Sequence, residues 1–485
     1  MRLIFSLCLW LLSAPILLGQ LNMSPGPAGQ AKAVKEQYLV LEDGRQFLKA
    51  ENLADLDISC QALILEEEEL AELPAKIGQY SELRYLSLWG QEALEELPEE
   101  IGQLQNLEVL ILNSTGIKRL PASIGQLQNL QILDLGNCQL QELPEELGQL
   151  QNLEALNLSA NQLEELPPSI GQLQALKMAD LSSNRLQELP NEFSQLTQLE
   201  ELALANNLLS FLPSNFGQLQ ALKTLQLSEN QLDQLPASLG QLKQLELLEL
   251  QDNDLGQIPA QIGQLQSLVE LDLSDNFIQQ LPPEIGQLQA LKSLFITENE
   301  LSQLPPEFAQ LKNLQELQLQ ENKLIALPIN FGKLSQLEEL QLSENKLEAL
   351  PKSIKRLKKL SSLNLGNNEI YLFPKNACNI KNLLALDLEG NYIEELPEEI
   401  SQLQNLEFLI LYDNELRNLP PYLQDLTALR RLEISDNEFE TFPEVLYQMR
   451  QLNDLILNVD QFDPTKIQTL KNRLLNCNIG PYEGD

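Results

Sequence analysis

The chain contains no histidine. That removes Ser-His-Asp and Cys-His nucleophile systems, imidazole metal ligands and the side chain best suited to moving protons near neutral pH. Basic residues are scarce: 32 Lys and Arg stand against 70 Asp and Glu, a formal net charge of −38. So acidic a surface repels phosphate backbones and anionic lipid heads, which argues against nucleic-acid or membrane-surface binding. Aromatics make up 5% of 485 residues, and only five cysteines occur. No GxxxxGK[ST] phosphate loop exists, since Gly332-Lys333 runs on into Leu334. These absences argue against an enzyme and point to no cofactor.

Beyond the N-terminus no apolar run reaches the length of a membrane span, so no membrane insertion of the mature chain is expected. Residues 1–19, MRLIFSLCLWLLSAPILLG, carry an early Arg2, an apolar stretch broken by Ser6, Ser13 and Pro15, and a small final residue. This is the layout of a secretory signal peptide, placing the protein outside the cell or in its envelope. A cytoplasmic location would require that the segment not be a signal. Residues 20–36 are rich in Pro, Gly and Ala and read as a flexible leader, and 37–52 regain apolar content as an N-terminal cap.

What fills the rest is leucine in a fixed rhythm. From Leu107 to Leu452 the pattern restarts every 23 residues without a slip, as in LEALNLSANQLEELPPSIGQLQA from Leu153 to Ala175. A 24-residue unit starts at Leu83 and a lengthened first unit at Leu53, giving about 17 full repeats plus a terminal partial one across 53–459. Within a unit, Leu156 and Leu158 alternate as on a strand, whereas Leu163, Leu166, Ile170 and Leu173 return at three- and four-residue spacing. Pro167 suits a segment leaving a sheet, and Gly171 a turn too crowded for a Cβ.

The consensus LxxLxLxxNxLxxLPxxIGQLxx resembles the leucine-rich-repeat family over about 430 of the 485 residues. Its LPxxIGQLxxL form is similar to the 23-residue subclass of Ras-scaffold, epithelial polarity, plant intracellular and many bacterial members. The resemblance implies an α/β solenoid, a right-handed superhelix with a parallel sheet on its concave face and short turns on its convex face. One coil cannot enclose a core alone, so neighbours must stack.

Thirteen successive units place an asparagine at one interior turn: Asn161, Asn184, Asn207, Asn230, Asn253, Asn276, Asn299, Asn322, Asn345, Asn368, Asn391, Asn414 and Asn437. An amide there can both donate to and accept from an adjacent coil's backbone, so the ladder reads as architecture. Cys138 takes the same position as a small buried filler. Cys60, Cys138 and Cys378 lie several coils apart, beyond disulfide reach at about 4.8 Å per coil, and Cys477 meets Cys378 only if the tail folds back. Free thiols are therefore expected. Residues 460–485 leave the repeat; Asp463-Pro464 reads as an N-cap and first-turn proline opening a helix that closes the solenoid.

Carboxylates such as Glu249, Asp252, Asp272 and Asp275 gather on neighbouring strands, but no compact oxygen-ligand loop accompanies them, so a solvated face is expected and no metal site. Candidate partner-binding residues are the large side chains at variable strand positions. An early group comprises Tyr85, Trp89, Val109, Ile111 and Ile132; a late group comprises Phe408, Ile410 and Tyr412, with Leu384 before and Arg430 and Arg431 after. Phe295 stands nearly alone between them. Exposed aromatics rimmed by arginine are typical interface anchors, unless the terminal caps cover them. The expected function is a non-enzymatic module taking a protein or peptide on its concave face. The alternatives are a structural or adhesive surface protein that self-associates, or an intracellular signalling scaffold. A convex basic cluster, with Lys352, Lys355, Arg356, Lys358 and Lys359, either balances charge locally or docks on another molecule's acidic face.

Overall fold

The computed structural model describes residues 38–40, 46–50, 56–65 and 70–481, the first two segments as backbone alone. The signal peptide, the leader and part of the N-terminal cap expected from sequence lie outside these residues. The chain divides into two compact units, residues 1–208 and 209–485.

In the first unit, strands Tyr38–Val40 and Gln46–Ala50 pair antiparallel, and the second runs parallel to Ala62–Ile64. Six further three-residue strands, Tyr85–Ser87 to Glu201–Ala203, continue the parallel sheet. In the second, parallel strands run from Thr224–Gln226 to Asp454–Ile456, and Asn478–Gly480 adds a last one. Most partners are 23 residues apart, as in Thr224 with Leu247, so each repeat position forms a row across the sheet. The chain is thus a leucine-rich-repeat solenoid in each unit, one strand and one 3-10 turn per repeat.

Local chemistry explains each coil. Leu156, Leu158, Leu163, Leu166, Ile170 and Leu173 are all buried, the strand leucines from one side and the turn residues from the other. Pro167 sits at φ −65° and ψ 142° immediately before the 3-10 turn Pro168–Gln172, the extended geometry that its ring favours. The repeated glycine is a matter of space: a Cβ on Gly171 would lie 2.2 Å from the carbonyl oxygen of Glu192 in the next coil.

Asn276 shows the ladder at work. Its Nδ2 donates to the carbonyls of Leu250 (3.0 Å), Leu273 (3.2 Å) and Ser274 (2.9 Å), while its Oδ1 accepts from the Leu255 N–H at 3.0 Å. One side chain therefore satisfies buried backbone groups of two coils. Cys138 occupies this position with Sγ 3.2 Å from the Leu112 carbonyl and from the Thr115 hydroxyl. Gln91 performs the same role earlier, donating to the Leu65 carbonyl at 2.7 Å and accepting from the Leu70 N–H at 2.8 Å.

A second ladder runs along the 3-10 turns. Gln151 Nε2 donates to the carbonyls of Gly148 and of Gln172 in the next coil, both at 2.9 Å, and Gln128 and Gln174 repeat this. Lys243 Nζ substitutes in one coil, reaching the Gly240 carbonyl at 2.7 Å.

The C-terminal segment forms helix Pro464–Arg473, capped by Asp463, whose carboxylate accepts from the Thr465 N–H at 2.8 Å. Phe462, Ile467, Leu470 and Leu474 are buried, and the Phe462 ring meets Phe439 and Phe442 at 6.2 and 5.4 Å. Cys60, Cys138, Cys378 and Cys477 are free thiols.

Candidate functional site

Variable strand positions face away from the leucine interior, and the in-register pairing decides which of them meet. In the first unit, Ala62, Tyr85, Val109 and Ile132 share one row, with Ile64, Ser87, Ile111 and Asp134 on the next. The expectation of an exposed early patch is corrected here. Tyr85 is 5% exposed and Val109 and Ile111 are 8% exposed; with Ala62 they form a closed cluster, against which Ile64 and Ile132 pack. Register brings these large side chains onto adjacent strands about 4.8 Å apart, where they pack on one another. Trp89 falls beyond the end of strand Tyr85–Ser87, in the turn beside Gly90, and is 51% exposed. It stands apart from the other four.

Beyond this cluster the Ile132 row continues through buried Ala155 and Met178, while the neighbouring row turns polar. Asp134 accepts from Asn157 Nδ2 at 2.8 Å and from the Gly136 N–H at 3.0 Å, and Asp180 from the Ser182 N–H at 2.9 Å. Burial pushes both carboxyls above the usual range, against the pull of these hydrogen bonds.

The second unit carries the late group. Ala385, Phe408, Arg431 and Asp454 form one row, and Asp387, Ile410, Glu433 and Ile456 the next. Phe408 is 43% and Leu384 42% exposed, while Ile410 and Tyr412 are half-buried. The Phe408 N–H bonds to the Leu384 carbonyl at 3.0 Å, which places the two large side chains at adjoining strand entries. Partial burial, with the Asp436 carboxylate nearby, pushes the Tyr412 phenol up. The terminal helix packs its apolar residues into the last coil and leaves Phe408 and Leu384 exposed. The arginine rim differs from expectation: Arg431 Nε pairs with the buried Glu433 carboxylate, and Arg430 Nη1 donates to the Gln451 carbonyl at 3.1 Å. Both guanidinium groups are engaged by their neighbours.

Around this group the sheet face is acidic and amide-rich. Half-buried Phe295 lies in register between Asp272 and Gln318. Burial raises Glu249, Asp272 and Asp387 above the ordinary carboxylate range; Glu249 accepts from Gln226 Nε2 at 2.8 Å. Among the described residues, no three acidic or cysteine side chains are grouped to hold a metal ion.

One feature was only partly read in the sequence: Asp252 and Asp275, expected on the strands beside Glu249 and Asp272, lie instead in the turns after them. The residue before each ladder asparagine adopts a left-handed backbone, and in six successive coils it is acidic: Glu229, Asp252, Asp275, Glu298, Glu321 and Glu344, with φ between 51° and 56°. They make an exposed acidic column along the turn edge. The Asp275 carboxyl, by hydrogen bond and by charge, pushes Glu298 up, and Glu321 and Glu344 add to the effect. The signal was present as a second period-23 position.

A leucine-rich repeat region family model matches residues 56–138, 129–208, 202–277 and 270–364. The chain belongs to the leucine-rich-repeat family. It is similar to a leucine-rich-repeat protein of Leptospira interrogans, 37% identical over 84% of this chain and 98% of that one, with a TM-score of 0.70. A TDR receptor is 29% identical over 83% of this chain and 72% of its own, with a TM-score of 0.68. The Arabidopsis receptor kinase HAESA, solved in complex with the peptide hormone IDA and a co-receptor, is 29% identical over 84% of this chain and 71% of that one, at a TM-score of 0.67. No curated protein matches the chain.

Proposed function

We propose that this chain is a non-enzymatic binding module that takes a protein or peptide on the sheet face of its second unit. The observation that carries the reading is the apolar group of exposed Leu384 and Phe408 with half-buried Ile410 and Tyr412, on a face rich in carboxylates and amides. Water-exposed large side chains on a rigid sheet, ringed by polar groups, are what interface anchors look like before a partner arrives. The similar receptor HAESA was solved with a peptide hormone, which supports a peptide-sized ligand. Residues 1–19 support export to the cell surface or beyond, where such a partner would be met; sequencing the mature N-terminus tests this, and an intact Met1 would return the scaffold alternative.

Panning a random peptide display library on the chain tests the binding reading. Peptides recovered on the wild type are expected to lose at least tenfold in affinity against Phe408→Ser/Tyr412→Ser, with the melting temperature held within about 3 °C. Equal affinity for both chains would remove the late group from the function.

A further inference from the structure

The 3-10 turns of the second unit change composition along the chain. Up to Gly332 most turns place glycine after the buried apolar residue, where a Cβ would collide with the next coil, as at Gly332, 1.9 Å from the Ser353 carbonyl oxygen; from Lys355 onward the position holds Lys, Cys, Ser, Gln and Tyr. In the turn Lys352–Arg356, Lys355 and Arg356 replace the glycine and the glutamine.

Those cations are exposed and close together. Lys333, Lys352, Lys355, Arg356, Lys359 and Lys375 span three consecutive coils. Among the described residues, Lys375 is the one of these six with an ion pair, to Glu399 at 3.6 Å. Beside them Ile329, at the position equivalent to Lys352, is 87% exposed. In a chain of net charge −38, such a patch has an obvious complement on the same unit: the acidic column of Glu229 to Glu344. Five steps of about 4.8 Å make that column about 24 Å long.

We infer that the basic turn patch of one copy docks on the acidic column of a second copy of this chain. The two surfaces differ, so the contact is heterologous and propagates from copy to copy rather than closing as a symmetric dimer. Individually exposed ion pairs are weak, so the association draws on several pairs and the Ile329 side chain together and is concentration-dependent. Salt gives it a signature. In about 10 mM salt the repulsion of the whole acidic chains reaches about 30 Å and opposes approach; near 150 mM it reaches about 8 Å and contact pairs dominate; near 1 M the pairs themselves are screened.

Sedimentation velocity of the full chain across concentration and salt tests this. The weight-average sedimentation coefficient is expected to rise with concentration most steeply near 150 mM salt. Lys355→Glu/Arg356→Glu/Lys359→Glu and, separately, Glu298→Lys/Glu321→Lys should each weaken association at least tenfold while melting cooperatively. An equimolar mixture of the two variants should associate again, because each then offers the charge that the other lacks. A wild-type chain that stays monomeric at every salt concentration overturns the inference. So does association indifferent to both reversals. Vesicles of phosphatidylcholine with anionic phosphatidylglycerol serve as the competing probe; patch-dependent binding to them without self-association would also overturn it.

Discussion

Asn276 illustrates how much one side chain holds in this fold. Its amide donates to three carbonyls and accepts one N–H, all buried but the part-buried Ser274 carbonyl, so Asn276→Leu leaves several backbone groups without partners at once. The expected loss is about 1–3 kcal/mol, read as a lower midpoint in urea unfolding; an unchanged midpoint would show that the amide is dispensable. This residue was legible in the sequence because a polar side chain repeating every 23 residues amid leucines has only a structural use. Gln91 was not, because it falls in the 24-residue unit where the register slips by one. The engagement of Arg431 by Glu433 was also invisible, since two residues apart on a strand is a distance only the side-chain rotamers settle. Phe408 and Tyr412 were legible as candidates from their positions, whereas the closure of Tyr85, Val109 and Ile111 on one another required the strand register.

Within a coil, the two turns carry opposite backbone demands. On the 3-10 side the constraint is space, and Gly332→Ala forces a methyl against the Ser353 carbonyl; the expected cost is about 1–3 kcal/mol, checked by calorimetry. On the other edge the constraint is φ. Glu298 holds φ 51° with no glycine to make it easy, a conformation costing ordinary residues roughly 1–2 kcal/mol, and it does so beside like charges. Glu298→Asn keeps a residue that tolerates this region and removes one carboxylate. It is expected to stabilise the second unit by about 0.5–1 kcal/mol, and a lowered melting temperature would refute that. The glycine was readable from sequence by its regularity. The left-handed position was not, because its occupants vary among Ser, Asn, Ala, Glu, Asp and, at Gly90 and Gly390, Gly, so no one residue type announces it.

At the scale of the whole chain, the excess of acid sets how stability answers to pH. Asp134, Asp180, Glu249, Asp272 and Asp387 all have carboxyls raised by burial. In the unfolded chain they return to ordinary values. Between those values and the raised native ones, the native state binds protons that the unfolded state does not, so stability falls as pH rises through the native values. Exposed Asp57, Glu444 and Asp463 are shifted the other way by hydrogen bonds from Ser59, Lys466 and Thr465, and their contribution is lost only below the ordinary carboxylate range. Protonation also relieves part of the repulsion within a chain of charge −38. The melting temperature is therefore expected to be higher near pH 5 than near pH 7.5 and to decline again in stronger acid. Asp272→Asn tests the origin of the slope, because an amide oxygen can still accept the Ser274 N–H that bonds to Asp272 at 2.9 Å. The variant should lose part of the difference between the two pH values. A difference as large as that of the wild type would assign the effect to surface repulsion rather than to the half-buried carboxyl row.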